Sequence, residues 1–150
     1  AFELDVLGAD GAQQRVTMGS YGIGVTRVVA AIAEQHADDR GLRWPRSVAP
    51  FDVHLCAVGN QGQLEAAEVL AGELARTGIG VLLDDRGVSA GVQFADAELL
   101  GMPTVLVVGR GLATREVEVR DRLSGAVTTL AIDDVAAHLT ELRRRDAPAR

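Results

Sequence analysis

Residues 81–109 read "VLLDDRGVSAGVQFADAELLGMPTVLVVG". The stretch opens inside a short apolar strand, "IGVLLD" (79–84). It continues into a short helix, "VQFADAELLG", that Gly101 ends. It closes on "PTVLVVG" (103–109), nearly all apolar, the pattern of a central strand covered on both faces. Working outward, "FDVHLCAV" (51–58) reads as another strand. "QLEAAEVLAGELARTG" (63–78) reads as a helix with Leu64, Ala67, Leu70, Ala71 and Leu74 on one face and Gly78 as its stop. Downstream, "EVEVRDRLSGAVTTL" (116–130) predicts a hairpin turning at Ser124–Gly125. "DDVAAHLTELRRR" (133–145) predicts a closing helix with acidic first turn and basic last turn, matched to its dipole. Strand, helix, strand, helix, strand predicts a small α/β domain with a parallel or mixed sheet flanked by helices.

Upstream, "ADDRGLRWPRSVAP" (37–50) breaks the periodicity with Gly41, Pro45 and Pro50, and marks a domain boundary. Its Trp44 predicts a linker packed down rather than free. The expected division is 1–44, a linker at 45–50, and a domain at 51–150. The first 18 residues predict an antiparallel hairpin. "FELDVL" sets Phe2, Leu4 and Val6 on one buried face, "GADG" turns, and "QRVTM" returns. Next comes "MGSYGIGVTRVVAAIAEQ" (18–35), with Gly19, Gly22 and Gly24 before a helix. Val25, Val28, Val29 and Ile32 form its apolar stripe. Arg27 lies roughly 160–200° around from that stripe at ~100° per residue. The chain starts without methionine, straight into strand-like sequence, so the expectation is a fragment whose start lies upstream.

Of the 150 residues, 47% are hydrophobic and 24% charged, enough for a core on a soluble domain. Net charge is −6, divided as −1 before Phe51 and −5 from Phe51 on. That argues against coating nucleic acid by bulk charge, while a local basic patch stays open. No apolar run nears the ~20 residues of a bilayer span. The single cysteine, Cys56, sits in an alternating apolar run and reads as a buried thiol. His36, His54 and His138 have no metal-ligand spacing, so no metal site is assigned.

Glycine lets a backbone come close to a flat or charged ligand, and an arginine beside the gap can pair with phosphate oxygens or lie on a base. Such a stretch suits a nucleotide. It equally suits a tight strand-to-helix joint with Arg27 as a solvated surface residue. "GSYGIG" does not fit the dinucleotide spacing G-x-G-x-x-G.

Two separated stretches carry a resemblance. "MGSYGIGVTRVVAAIAEQ", followed by "LRWPRSVAPFDVHL", resembles the third signature motif of bacterial prolyl-tRNA synthetases and its join to an anticodon-binding domain. "VLLDDRGVSAGVQFADAELLGMPTVLVVG" resembles the core of that domain. The resemblance implies the end of a class II catalytic domain, a hairpin plus helix, joined to an α/β anticodon-binding domain. It implies a cytoplasmic ligase, a homodimer when full-length, that uses ATP and Mg²⁺ to activate L-proline and charge tRNA(Pro). Membrane and DNA are not among its partners. Arg27 falls where the family's arginine meets adenine and the γ-phosphate. Gly22 and Gly24 leave room for adenosine. Ser20, where members often carry cysteine, and Gly22 line the proline pocket. Asp85, Arg86, Phe94 and Glu98 match the anticodon-reading edge. There Asp85 and Glu98 accept from guanine N–H groups, Arg86 pairs with a base edge or phosphate, and Phe94 stacks. The plainer alternatives are an Asp85–Arg86 loop ion pair and a core Phe94. Arg110, Arg115, Arg120 and Arg122 lie around a loop and hairpin, as phosphate contacts or a solvated face. The family's first two motifs and its editing insertion are absent, so this chain alone is expected to be inactive. Threonyl-, histidyl- and glycyl-tRNA synthetases share the layout, and a non-catalytic tRNA-binding module is the further alternative.

Overall fold

The computed structural model describes residues 3–146. Its centre is a five-stranded mixed sheet, β5 (Val53–Ala57), β6 (Val81–Asp84), β7 (Thr104–Val108), β8 (Glu116–Asp121) and β9 (Val127–Ala131), in the order β6-β5-β7-β8-β9. β5 runs parallel to both β6 and β7, while β8 and β9 are antiparallel additions. The parallel pairs require crossovers, and the helices α2 (Gln61–Arg76) and α3 (Ala90–Leu100) supply them. α4 (Val135–Arg145) closes the chain.

Strand alternation divides the core in two. Val53 and Leu55 of β5, Leu106 and Val108 of β7, and Val117 and Val119 of β8 pack under α2 and α4 with Leu70, Leu74, Val135 and Leu139. On the opposite face Cys56, Val105 and Val107 pack with Ala97 and Phe94 of α3. Burial of Cys56 holds its thiol up at about 12, the expected inert role. All five residues of β7 are buried, as its apolar run predicts.

Local signals set the helix ends. Asn60 forms a capping box at the start of α2: its Oδ1 accepts from Gly62 N at 2.9 Å, and Asn60 N donates to Gln63 Oε1 at 2.9 Å. Asn60→Ala is expected to lower stability by about 1 kcal/mol, read as a shift of the urea midpoint. Ser89 caps α3, which therefore starts two residues before the expected Val92.

The first part of the chain departs from expectation. The hairpin forms, as β1 (Asp5–Leu7) against β2 (Gln13–Arg15), but β2 is shorter than the predicted 14–18. No buried face develops: Leu4, Val6 and Leu7 are exposed, and Phe2 lies outside the described residues. α1 (Val25–Gln35) buries none of its residues either, and Val25, Val28 and Val29 of its stripe are exposed. The described residues contain no surface that covers this stripe.

The boundary segment is a strap rather than an open linker. It holds a second hairpin, β3 (Ala37–Asp38) and β4 (Gly41–Leu42), which packs against α3. Two glycines make the approach possible. A Cβ on Gly101, at φ +68°, would collide with the Leu42 carbonyl, and one on Gly41, at φ +147°, with the Leu99 backbone. Trp44 N then donates to Gly101 O at 3.1 Å, so the tryptophan segment is packed down as expected.

Candidate functional site

Phe94 and Glu98 stand one turn apart on α3 and so share a helix face. That face looks across the open half of the sheet, where β8 and β9 extend past α3. The two residues, with Arg40, Arg120, Arg122 and Val127, border a pocket of about 150 Å³. Phe94 is half-buried against the small core of Cys56, Ala97, Val105 and Val107. The Arg120 guanidinium lies 4.4 Å from its ring centroid, a cation–π pair, and the Arg120 side chain is 38% exposed. Glu118 holds Arg120 from the side. The Glu98 carboxylate is 41% exposed and accepts from Arg40 Nη1 at 2.9 Å. Arg110 borders a second hollow of about 470 Å³ on the same sheet face.

Gln93 fixes α3 from below. Its buried amide donates to Ala57 O at 3.0 Å and Val88 O at 3.2 Å, tying the helix to the end of β5 and to the loop before α3.

Asp85 and Arg86 form a separate group just past the end of β6, on the side of α3 that carries Asp96. Asp85 is exposed. Arg86 grips Asp84 with two bonds, Nε to Oδ1 at 2.8 Å and Nη2 to Oδ2 at 2.7 Å, and reaches Asp96 at 2.7 Å. The loop ion pair weighed as an alternative thus forms with Asp84 and Asp96, not with Asp85. Asp84 is the last residue of β6 and points to the α3 side, where it is buried; Asp85 lies past the strand. The Arg86 hydrogen bonds hold the Asp84 carboxyl below the usual carboxylate range. Arg86 is half exposed, yet two carboxylates already neutralise it.

The other arginines also sort by partner. Arg122 is 7% exposed and faces inward, with Nη1 and Nη2 each 2.8 Å from an oxygen of Asp38. It is neither a phosphate contact nor part of a solvated face. Arg115 pairs with Asp133 at 2.8 Å on the surface.

The glycine stretch stands open. Ser20, Gly22, Gly24 and Arg27 are all exposed, with Tyr21 97% accessible. A Cβ at Gly22 would meet nothing within 4 Å. Gly24 is the N-cap of α1, its carbonyl accepting from Val28 N at 3.0 Å. Among the described residues Arg27 has no ion pair. Its guanidinium is exposed.

Sequence reasoning missed Arg40 and Asp38, read as linker charges, and Asp84. The "DDRG" turn at 38–41 carried no signal of where its side chains reach. The apolar run of β6 carried no signal of which side Asp84 faces.

The sequence of this chain is matched by known proteins. The family described as "Anticodon binding domain" matches residues 52–142, and the chain belongs to it. It is 59% identical over 143 residues to a proline–tRNA ligase of Acidothermus cellulolyticus, covering 95% of this chain and 24% of that protein. It is 57% identical over 146 residues to the proline–tRNA ligase of Mycobacterium tuberculosis strain H37Rv, and 57% over 145 to that of Mycobacterium avium, covering 93% of this chain and 25% of each relative. The chain spans about a quarter of the length of the curated relatives it matches. No helix among the described residues is long and apolar enough to cross a membrane.

Proposed function

We propose that this chain is the part of a proline–tRNA ligase that reads the anticodon and adds one arginine to the ATP site. The observation that carries the reading is the pocket between α3 and β8, in a chain 57–59% identical to proline–tRNA ligases along nearly all its length. The ligand is tRNA(Pro), whose anticodons are dominated by guanines. A guanine offers two adjacent donors, N1–H and N2–H, to a carboxylate. Glu98 accepts them. The base stacks on the outer plane of Arg120, which Phe94 backs, so stacking reaches Phe94 through the guanidinium. Arg110 meets the backbone phosphates. Asp85 and the outer edge of Arg86 contact the loop further along.

Ser20, Gly22, Gly24 and Arg27 belong to the activating half of the enzyme. An exposed, unpaired guanidinium on the first turn of α1, after small residues, fits a triphosphate whose other contacts come from elsewhere. Arg27 holds the γ-phosphate and the adenine, while Ser20 and Gly22 border the proline. Mg²⁺, held by other parts of the enzyme, supplies charge neutralisation as pyrophosphate departs. The dimeric state of the full-length enzyme belongs to the same reading. So does the domain division, with the strap counted as part of the RNA-reading unit because it packs on α3.

The test is amino-acid-dependent ATP–pyrophosphate exchange by the full-length protein. Proline alone should drive it; exchange driven by threonine, histidine or glycine would assign the chain to a neighbouring enzyme. Glu98→Gln keeps the shape and removes the charge. It is expected to weaken binding of tRNA(Pro) on the order of 10-fold, because the amide keeps one acceptor oxygen and turns an NH2 donor toward the second guanine donor, as read by filter binding.

A further inference from the structure

We infer that Arg40, from the strap, is a specificity-determining residue of the RNA pocket, completing with Glu98 a reader for the whole pairing edge of guanine. The inference rests on the anticodon reading given above. Arg40 lies outside residues 52–142, the span matched by the anticodon-binding family.

The strap fixes where the Arg40 backbone sits. Asp38 Oδ1 accepts from Arg40 N at 2.9 Å and Gly41 N at 3.1 Å, closing the turn between β3 and β4. Both Asp38 oxygens are also held at 2.8 Å by the buried Arg122. Gly41 and Gly101 seat the turn directly on the last turns of α3, with no room for a side chain between. The Arg40 backbone is therefore pinned over the end of the helix that carries Glu98. Its side chain, 55% exposed, reaches the carboxylate at 2.9 Å at the mouth of the pocket. An exposed pair of this kind contributes little to folding. Its consequence is local: it orients the carboxylate and sets a fork of N–H donors beside it.

That pairing of groups matches guanine. The base presents one acceptor, O6, next to two donors, N1–H and N2–H. Glu98 takes the donors, and Arg40 donates to O6. Adenine reverses both relations. Its N6 amino group faces the guanidinium donors, and its N1 lone pair faces the carboxylate. Unpaired or opposed polar groups discriminate more strongly than any added contact.

The test uses the 150-residue chain, an RNA hairpin with the proline anticodon loop, and the same hairpin with each guanine replaced by adenine. Arg40→Ala should weaken binding to the guanine hairpin on the order of 10-fold and leave the adenine hairpins unchanged. Arg40→Lys, which keeps charge without the fork, should fall between. Melting curves should be unchanged in both variants. Equal losses on all hairpins, or none, would overturn the role of Arg40. If Glu98→Gln still removes discrimination in that case, the anticodon pocket stands without Arg40. If Glu98→Gln also leaves discrimination intact, both fall.

Discussion

Arg27→Ala in the full-length protein is expected to reduce proline-dependent ATP–pyrophosphate exchange by at least about 100-fold, the usual cost of removing one preorganised donor at developing charge. The side chain sits on the first turn of α1, turned away from the Val25, Val28, Val29 and Ile32 stripe. It is exposed and has no carboxylate partner among the described residues, so the substitution breaks no internal ion pair. The effect should appear in kcat/KM for ATP, with melting and tRNA binding unchanged. Arg27→Lys should recover only part, because a point charge lacks the planar, bidentate fork. Full exchange activity in Arg27→Ala would remove the nucleotide role of the glycine stretch and leave Arg27 as a surface residue.

The second large effect concerns Arg122. Its side chain is 5% exposed and Asp38 is its partner through two bonds. Removing one member of a buried pair leaves the other charge uncompensated. Arg122→Ala is expected to lower the melting temperature on the order of 5–10 °C and to release the strap, seen as faster amide exchange at Arg40 and Gly41. The double variant Asp38→Asn with Arg122→Met should regain part of the loss, since neither residue is then a stranded charge. The pH dependence has a definite sign. The hydrogen bonds from Arg122, with those from the Arg40 and Gly41 backbone, hold the Asp38 carboxyl well below its ordinary value of 3.8. A carboxyl depressed in the folded state adds stability above that ordinary value, and the stability is lost as pH falls through the folded one. Arg122→Ala should therefore also flatten the acid limb of the stability curve.

The α/β domain was legible because its signals are local. "PTVLVVG" has the pattern of a strand buried on both faces, and Gly101 and Ser124–Gly125 mark an end and a turn within a few residues of where they act. The caps Asn60 and Ser89 went unread, so both helices begin two residues before the expected Gln63 and Val92. The strap was not legible, because its meaning lies in long-range pairs. Arg40 meets Glu98 across 58 positions, and Asp38 meets Arg122 across 84. Read locally, the same letters look like a charged linker. The hairpin and α1 show the converse. Their periodicity predicted buried faces, and the elements formed, but no surface among the described residues covers them. In the candidate site, Phe94 and Glu98 were named only through the family resemblance, and the helix sets them one turn apart on one face. The partner of Arg86 was missed because Asp84 and Asp85 differ only in which side of the strand end they fall on.

The measurement that bears most directly on this account is the affinity of the 150-residue chain for proline tRNA beside a variant with the anticodon exchanged for one lacking guanine. A preference of at least about 10-fold for the proline anticodon is expected from the loss of the charge-assisted contacts. Equal affinity for the two would contradict a pocket built on Glu98, Arg120 and Arg40.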